Sequence, residues 1–262
     1  MGSFELNYSL LSVSKPELGK VAIMPWDSEI FKFKVAQYEL GDIDCIILNK
    51  DHCKMALKEW SSENMIKLIG CNINSNPVQS VTLLQELNFY FVDSILNIRL
   101  NNFNKIEIPK PRFKVRLIQN KDNCKVKKIA ETSFKHGKYF ADSRFPKNLA
   151  ELRNKQWIKN AIESDSKKNK IYILENKGDI IGFFHVLCDN STGDLRLAAI
   201  EPEYQHGILG YHLFLSVFHE LRESGIKKLK GKISSSNLSV LNIYLSFGFI
   251  CNSHELMFHK YL

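Results

Sequence analysis

Gln205, Gly210, Asn237 and Tyr244 stand where this sequence could bind an anion and move a proton. Leu195–Ile200 is an apolar run long enough for a buried strand, and Glu201-Pro202 stops it, because proline cannot donate to a strand ladder. A tight turn at Tyr204–Leu209 follows. Then Leu209, Leu213, Val217 and Leu221 recur every four residues, with Tyr211, Phe214 and Phe218 beside them, until Gly225 ends the helix. Such a strand–turn–helix unit offers the free N–H groups and positive dipole end of a helix's first turn, which suit a phosphate or pyrophosphate. G-x-G-x-x-G is absent, and so is the Gly-Lys-Ser/Thr ending of a phosphate loop. Asn237 heads a second helical pattern, Leu238–Phe247, and reads as its N-cap, a role compatible with touching a cofactor. Tyr244 adds a phenol to that helix.

The turn resembles the acyl-CoA-binding motif of the GNAT superfamily, the Gcn5-related N-acetyltransferases, Gln/Arg-x-x-Gly-x-Gly/Ala. Gln205 and Gly210 match its ends, whereas the middle glycine position is Ile208, with Gly207 one place early. An isoleucine in helical conformation still offers its N–H, provided its side chain points away from the pyrophosphate. Downstream, Asn237-Leu-Ser-Val-Leu-Asn-Ile-Tyr244-Leu-Ser-Phe-Gly248-Phe249 is similar to the family's closing motif, Asn-x6-Tyr-x3-Gly-Phe. The resemblance implies that acetyl-CoA or another short-chain acyl-CoA is held by Leu197, Ala198, Ala199, Ile200, Gln205, His206, Gly207, Ile208, Leu209, Gly210, Asn237 and Tyr244. It also implies that a backbone N–H around Leu197–Ala199 meets the oxyanion and that Tyr244 serves the departing thiol. A phenol near ~10 against a thiol near ~8.5 leaves full proton transfer uphill by about 2 kcal/mol. Tyr244 is therefore a hydrogen-bond donor to developing charge. For the base, Asp142 and Glu201 are weak candidates, and a water chain serves equally.

Two further stretches narrow the reading. Pro25-Trp-Asp-Ser-Glu-Ile-Phe-Lys-Phe33 resembles Pro-Trp-Asp-Ser-Glu-Phe-Phe-Gly-Phe of the dTDP-fucosamine acetyltransferase group, with Lys32 where glycine is usual. Ser133–Ile162 is similar to that group's acceptor-side helices. The resemblance implies transfer of a short acyl group to the amine of a dTDP-linked amino-dideoxy sugar, a surface polysaccharide precursor. Trp26, Asp27, Glu29, His136, Tyr139, Asp142 and Arg144 are the candidate substrate contacts. Each has a plainer alternative: Trp26, Phe31 and Phe33 as core anchors, Asp27 or Ser28 as a helix cap, the 136–144 residues as solvated loop. His185, on a strand, reads as a satisfied core histidine. The other functions weighed are a GNAT enzyme acting on a protein N-terminus, an aminoglycoside or another small amine, and a non-catalytic acyl-CoA sensor.

The net charge of +8 is spread along the 262 residues with no block of five or more, so the clustering expected of a nucleic-acid binder is missing. An anionic small substrate accounts for the sign equally well. Six cysteines without C-x-x-C or zinc-finger spacing read as reduced thiols. No signal-peptide core and no run approaching a membrane span is evident, so a soluble, cytoplasmic protein is expected, with no metal and with a homodimer left open.

The expected fold class is α/β with a mixed sheet, as tandem GNAT-like domains of which the N-terminal one is degenerate. Residues 1–100 would form that first domain, 101–111 a polar linker with two prolines, and 112–262 the acyl-CoA-binding domain. In the first domain Ile43–Leu48, Ile66–Ile73 and Phe89–Leu100 read as strands, and Met55–Trp60 and Val78–Leu87 as helical. In the second, the order is strand (Phe113–Ile118), two helices (Lys121–His136, then through about Ile162), a three-stranded meander turning at Lys177-Gly-Asp, helix, strand, helix, strand. An internal repeat at an offset of 160 sets Ile73, Ser75, Val81, Leu83 and Phe89 opposite Ile233, Ser235, Leu241, Ile243 and Phe249.

Overall fold

The computed structural model describes residues 18–74, 78–205 and 208–262. In chain order the elements of the first part are β1 (Gly19–Ile23), α1 (Pro25–Phe31), β2 (Lys34–Leu40), α2 (Ile43–Leu48), α3 (Lys50–Glu63), β3 (Ile66–Asn74), α4 (Val78–Glu86) and β4 (Tyr90–Leu100). There follow β5 (Val115–Leu117), α5 (Asn123–Thr132), α6 (Lys138–Ala141), α7 (Lys147–Glu163), β6 (Asn169–Asn176), β7 (Asp179–Asp189), β8 (Thr192–Ile200), α8 (Leu209–Glu223), β9 (Lys228–Ser234), α9 (Leu238–Ser246) and β10 (Ile250–Tyr261). The chain divides into two compact units, Met1–Ile95 with Ser253–Leu262, and Leu96–Asn252. The C-terminal segment thus counts with the first unit, not with the second as the sequence boundary has it. Among the described residues no helix is long and apolar enough to cross a membrane.

In the first unit β2 pairs antiparallel with β1 and parallel with β3, and β3 pairs antiparallel with β10, from Glu255 opposite Asn74 to Tyr261 opposite Leu68. Tyr38, Ile69, Leu83, Leu84, Leu87, Phe89 and Phe258 form its core, each such side chain contributing about 1.5–3 kcal/mol by leaving water. One expectation fails here: Ile43–Leu48 is a helix, not a strand. An apolar run this short has no period to separate the two, and Asp42 decides it by accepting the N–H of Cys45 as an N-cap.

In the second unit β5 to β8 form an antiparallel meander, and β9 joins β8 in parallel. The β6–β7 turn places Lys177 at φ 52° and Gly178 at φ 92°, the left-handed pair that a tight hairpin needs. One face packs on α8 and α9 through Phe184, Phe214, Phe218, Phe247 and Phe249. The other face packs on α5 and α7 through Ile129, Ile158, Ile173 and Phe183. Residues 101–111 are not a free linker. Phe103 is buried in the α8-side core, its N–H donates to the Lys227 carbonyl (2.9 Å), and Arg222 donates to the Ile106 carbonyl (3.0 Å). The predicted strand and helix at 113–118 and 121–136 shorten to β5 and α5, with a one-turn helix, α6, inside the predicted loop.

The repeat is visible in the backbone. Helices α4 and α9 start and stop at the same 160-residue offset, Val78–Glu86 against Leu238–Ser246. Asn88 (φ 64°) and Gly248 (φ 81°) take the same left-handed turn. Behind each, the next N–H reaches back five residues, Phe89 to the Leu84 carbonyl and Phe249 to the Tyr244 carbonyl. Asparagine fills the glycine role because it tolerates that conformation better than other side chains.

Candidate active site

The site starts from a fault in the sheet. Strands β8 and β9 are paired only from Thr192 opposite Lys228 to Leu195 opposite Gly231. Beyond that point β8 runs on to Ile200 and β9 to Ser234 without a shared register, leaving a gap between two parallel strands. A bulge coincides with the parting: Val186 faces Leu195 and His185 faces Leu197, so Arg196 is the extra residue. The bulge also switches faces, since Leu195 packs in the α8-side core while Leu197 and Ala199 join the α5–α7 side.

Past the bulge, Glu201 donates its N–H to the Ile181 carbonyl on β7 (2.8 Å). Alternation along the strand then turns the main-chain groups of Ile200 and Ala198 away from β7, toward the gap. The Ile200 carbonyl bears this out, because Gln205 donates its side-chain amide to it (2.9 Å) and also to the Ser133 carbonyl (3.0 Å). Gln205 therefore ties the end of β8 to the end of α5.

Helix α8 begins at the mouth of the gap. His212 N–H closes the first turn on the Ile208 carbonyl (3.0 Å), and among the described residues no side chain caps the N-terminus. The preceding N–H groups have no intrahelical acceptor and carry the positive end of the dipole. Ile208 is helical with its side chain 61% exposed, so it can occupy the motif's glycine position. Among the described residues an added Cβ at Gly210 would meet nothing nearer than Ile243 Cδ1, at 3.9 Å. The protein's own packing does not demand this glycine, and the bare backbone leaves the approach to a ligand open. His206 and Gly207 lie outside the described residues. The uncapped turn, the gap and the open Gly210 fit the pyrophosphate and thioester arm of an acyl-CoA.

Asn237 caps α9 by accepting the Val240 N–H (3.3 Å). Tyr244 is buried edge-to-face against Phe214 (5.1 Å) and Phe249 (4.9 Å). Burial, with a contribution from the Asp194 carboxylate, pushes its phenol well above the usual range. Among the described residues none hydrogen-bonds its hydroxyl, which can donate and is a poor acid. Glu201 is engaged by Lys125 at 2.5 Å.

The seven candidate substrate contacts fall in two units. Trp26, Asp27 and Glu29 lie on α1 of the first, with Asp27 buried and Glu29 exposed. The plainer reading of Ser28 changes: its hydroxyl donates to the Met24 carbonyl and accepts the Val35 N–H, clasping α1 to β2. Phe31 is buried and stacks on Phe33 at 5.8 Å. Lys32 sits at φ 61°, which explains why the related motif prefers glycine there. His136, Tyr139, Asp142 and Arg144 belong to the second unit. Tyr139 and Asp142 line a cleft of about 420 Å³ with Lys135, Phe140, Ser143, Phe145 and Lys147. The Asp142 carboxylate accepts the Arg144 N–H (2.9 Å), and Arg153 lies over the Tyr139 ring (5.2 Å).

Sequence reading passed over Arg116, which joins Asp122 (2.6 Å) and Glu175 (2.5 Å) and so pins β5 to β6 and to the turn before α5. It also passed over Ser133, since a lone serine carries no spacing signal. Among the described residues His185 is only half satisfied: Nε2 pairs with Asn169 Oδ1 (2.8 Å) while Nδ1 has no hydrogen-bond partner. All six cysteines are free thiols, and burial pushes Cys71 up to about 12.

Comparison with known proteins defines the class by fold. A GCN5-related N-acetyltransferase from Sphaerobacter thermophilus superposes with a TM-score of 0.66 at 10% identity, over 93% of this chain and 76% of that one. A tandem GNAT protein from the clavulanic acid biosynthesis pathway superposes with a TM-score of 0.54 at 9% identity, over 93% of this chain and 79% of that one. The chain has the GNAT fold in tandem form. Residues 137–260 match the family described as "Acetyltransferase (GNAT) domain". Its members use acetyl-CoA or acyl-CoA as the acyl donor. A curated relative is the spore coat polysaccharide biosynthesis protein SpsD of Bacillus subtilis (strain 168), 20% identical over 175 residues. The match covers 67% of this chain and 60% of the relative's length.

Proposed function

We propose that this chain is a CoA-dependent N-acyltransferase whose acceptor is the amine of a nucleotide-linked amino-dideoxy sugar, of the dTDP-linked class. The observation that carries the reading is the parting of β8 from β9 beside an uncapped helix N-terminus, with Tyr244 on the following helix. The acyl-CoA supplies a thioester carbonyl open to attack by an amine. Ala198 N–H, turned into the gap, would meet charge developing on the carbonyl oxygen, an interaction worth about 10²–10³ in rate when such a donor is removed. The N–H groups at the start of α8 would hold the pyrophosphate, and Asn237 keeps α9 in register for Tyr244. Tyr244 would donate to the departing sulfur without surrendering its proton.

The acceptor class rests on the cleft and on the relative. Lys135 and Lys147 flank a cleft whose other walls include Tyr139, Phe140 and Phe145. Cations and aromatic faces together suit a phosphorylated nucleoside, and a buried carboxylate, Asp142, suits an ammonium group. The polysaccharide role in the SpsD name agrees with a sugar acceptor. The degenerate first repeat, which lacks a glycine turn equivalent to Gln205–Gly210, is read as a lobe without cofactor apparatus.

Acetyl-CoA titration of wild type and Gly210→Val tests the donor half. The variant should fold, because space exists for its Cβ, and should bind acetyl-CoA at least about tenfold more weakly. Equal affinity in a folded variant would remove the α8 turn from the site.

A further inference from the structure

The segment between β4 and β5 runs along helix α8 from its last turn to its first. Arg222 donates to the Ile106 carbonyl (3.0 Å), and further on Ser216 donates to the Phe113 carbonyl (2.7 Å). The Phe113 ring then lies 5.1 Å from the ring of His212, one turn into the helix. Ile106, Ile108, Phe113 and Val115 pack against the α8-side core, while Lys110, Arg112 and Lys114 are exposed. Among the described residues no carboxylate pairs with these three cations. His212 is buried, and among the described residues its Nδ1 has no hydrogen-bond partner. Helical side chains lean toward the N-terminus, so this imidazole leans to the end assigned to the pyrophosphate. Burial first, and then the charge of Arg112, hold the imidazole below its ordinary pKa, in keeping with a guanidinium beside the helix's first turn. A cation without a counter-ion thus flanks a positive helix end and a buried imidazole, a cluster that suits an anion. Arg112 lies outside residues 137–260, so the family match does not supply it.

An acyl-CoA carries two phosphate groupings, the pyrophosphate in its chain and a phosphomonoester on the 3′ oxygen of its ribose. The first-turn N–H groups of α8 are assigned to the pyrophosphate, which leaves the monoester without a partner. We propose that Arg112 is the seat of the 3′-phosphate and so makes this chain select a complete coenzyme A over 3′-dephospho forms. This rests on the acyl-CoA reading of the α8 turn. A guanidinium is planar and always charged, and it meets a phosphate through two parallel N–H···O bonds. The Arg112 segment lies beside the helix rather than on its axis, so it serves a second anionic group and not the one the N–H groups hold. Lys110 and Lys114 add to the attraction without the fork geometry.

The test measures binding to the full-length protein by calorimetry, with acetyl-CoA and 3′-dephospho-acetyl-CoA as the two ligands. Wild type should bind acetyl-CoA at least about tenfold more tightly than the dephospho compound. Arg112→Ala should bind the two alike, its affinity for the dephospho compound staying within about twofold of wild type. Arg112→Lys should keep part of the preference, as a charge without the fork. Arg112 is exposed, so the variants should fold, and comparing two ligands within one variant cancels any general loss of stability. No preference in wild type overturns the seat, and so does a preference that survives Arg112→Ala. If wild type binds neither compound, the acyl-CoA reading falls first and the seat with it.

Discussion

Tyr244 shows what the fold does to a single residue. Its phenol sits among Phe214 and Phe249 with Asp194 nearby, and both surroundings keep the proton on oxygen. Tyr244→Phe should therefore lower kcat by about 10–100-fold while acetyl-CoA still binds, because only a donor to developing charge is lost. Unchanged turnover would take Tyr244 out of the chemistry. His185 gives a pH prediction. Burial first, then Arg196, lowers its pKa to about 4 from the ordinary 6.5. The unfolded chain thus takes up this proton before the native state does as pH falls, so stability is full above about 6.5 and is lost toward 4. The effect is roughly 3 kcal/mol. Urea midpoints at pH 7 and pH 4.5 should fall less in His185→Leu than in wild type, and parallel falls would contradict the assignment. Tyr244 and Asn237 were legible because a motif fixes their spacing. Arg112 was not, since the helix it flanks is far away in sequence.

At the scale of elements, the sequence declares the strand–turn–helix of β8 and α8 through periodicity, a proline stop and Gly225. It does not declare the bulge. Arg196 looks like one more strand residue until the facing register on β7 shows that it has no partner. That unannounced residue turns Leu197 to the opposite face from Leu195 and accompanies the parting from β9. Helix α2 was lost for the opposite reason, because five apolar residues out of six outweigh a single capping aspartate in any pattern reading. The end of α1 offers a clean test. Lys32 pays for a left-handed turn that glycine adopts freely, so Lys32→Gly should raise stability by about 1 kcal/mol. Lower stability in that variant would mean that the lysine side chain, not its backbone, is what the position requires.

For the whole molecule, the two units share one design with unequal equipment. The β3–α4–β4 and β9–α9–β10 segments agree in helix limits, left-handed turn and return hydrogen bond. Only the second has tyrosine at the place of Leu84 and glycine at the place of Asn88. The sequence foretold this tandem plan, while the packing of residues 101–111 onto the second unit was hidden by their polarity. The dispersed +8 charge fits an anionic donor and acceptor better than a polymer. The most direct test is free-thiol release by the purified protein with acetyl-CoA and a panel of dTDP-3-amino and dTDP-4-amino dideoxy sugars. The account predicts release with one regioisomer and little with the other. No release with any sugar, in protein that still binds acetyl-CoA, would contradict it and favour another amine or a sensor of acyl-CoA.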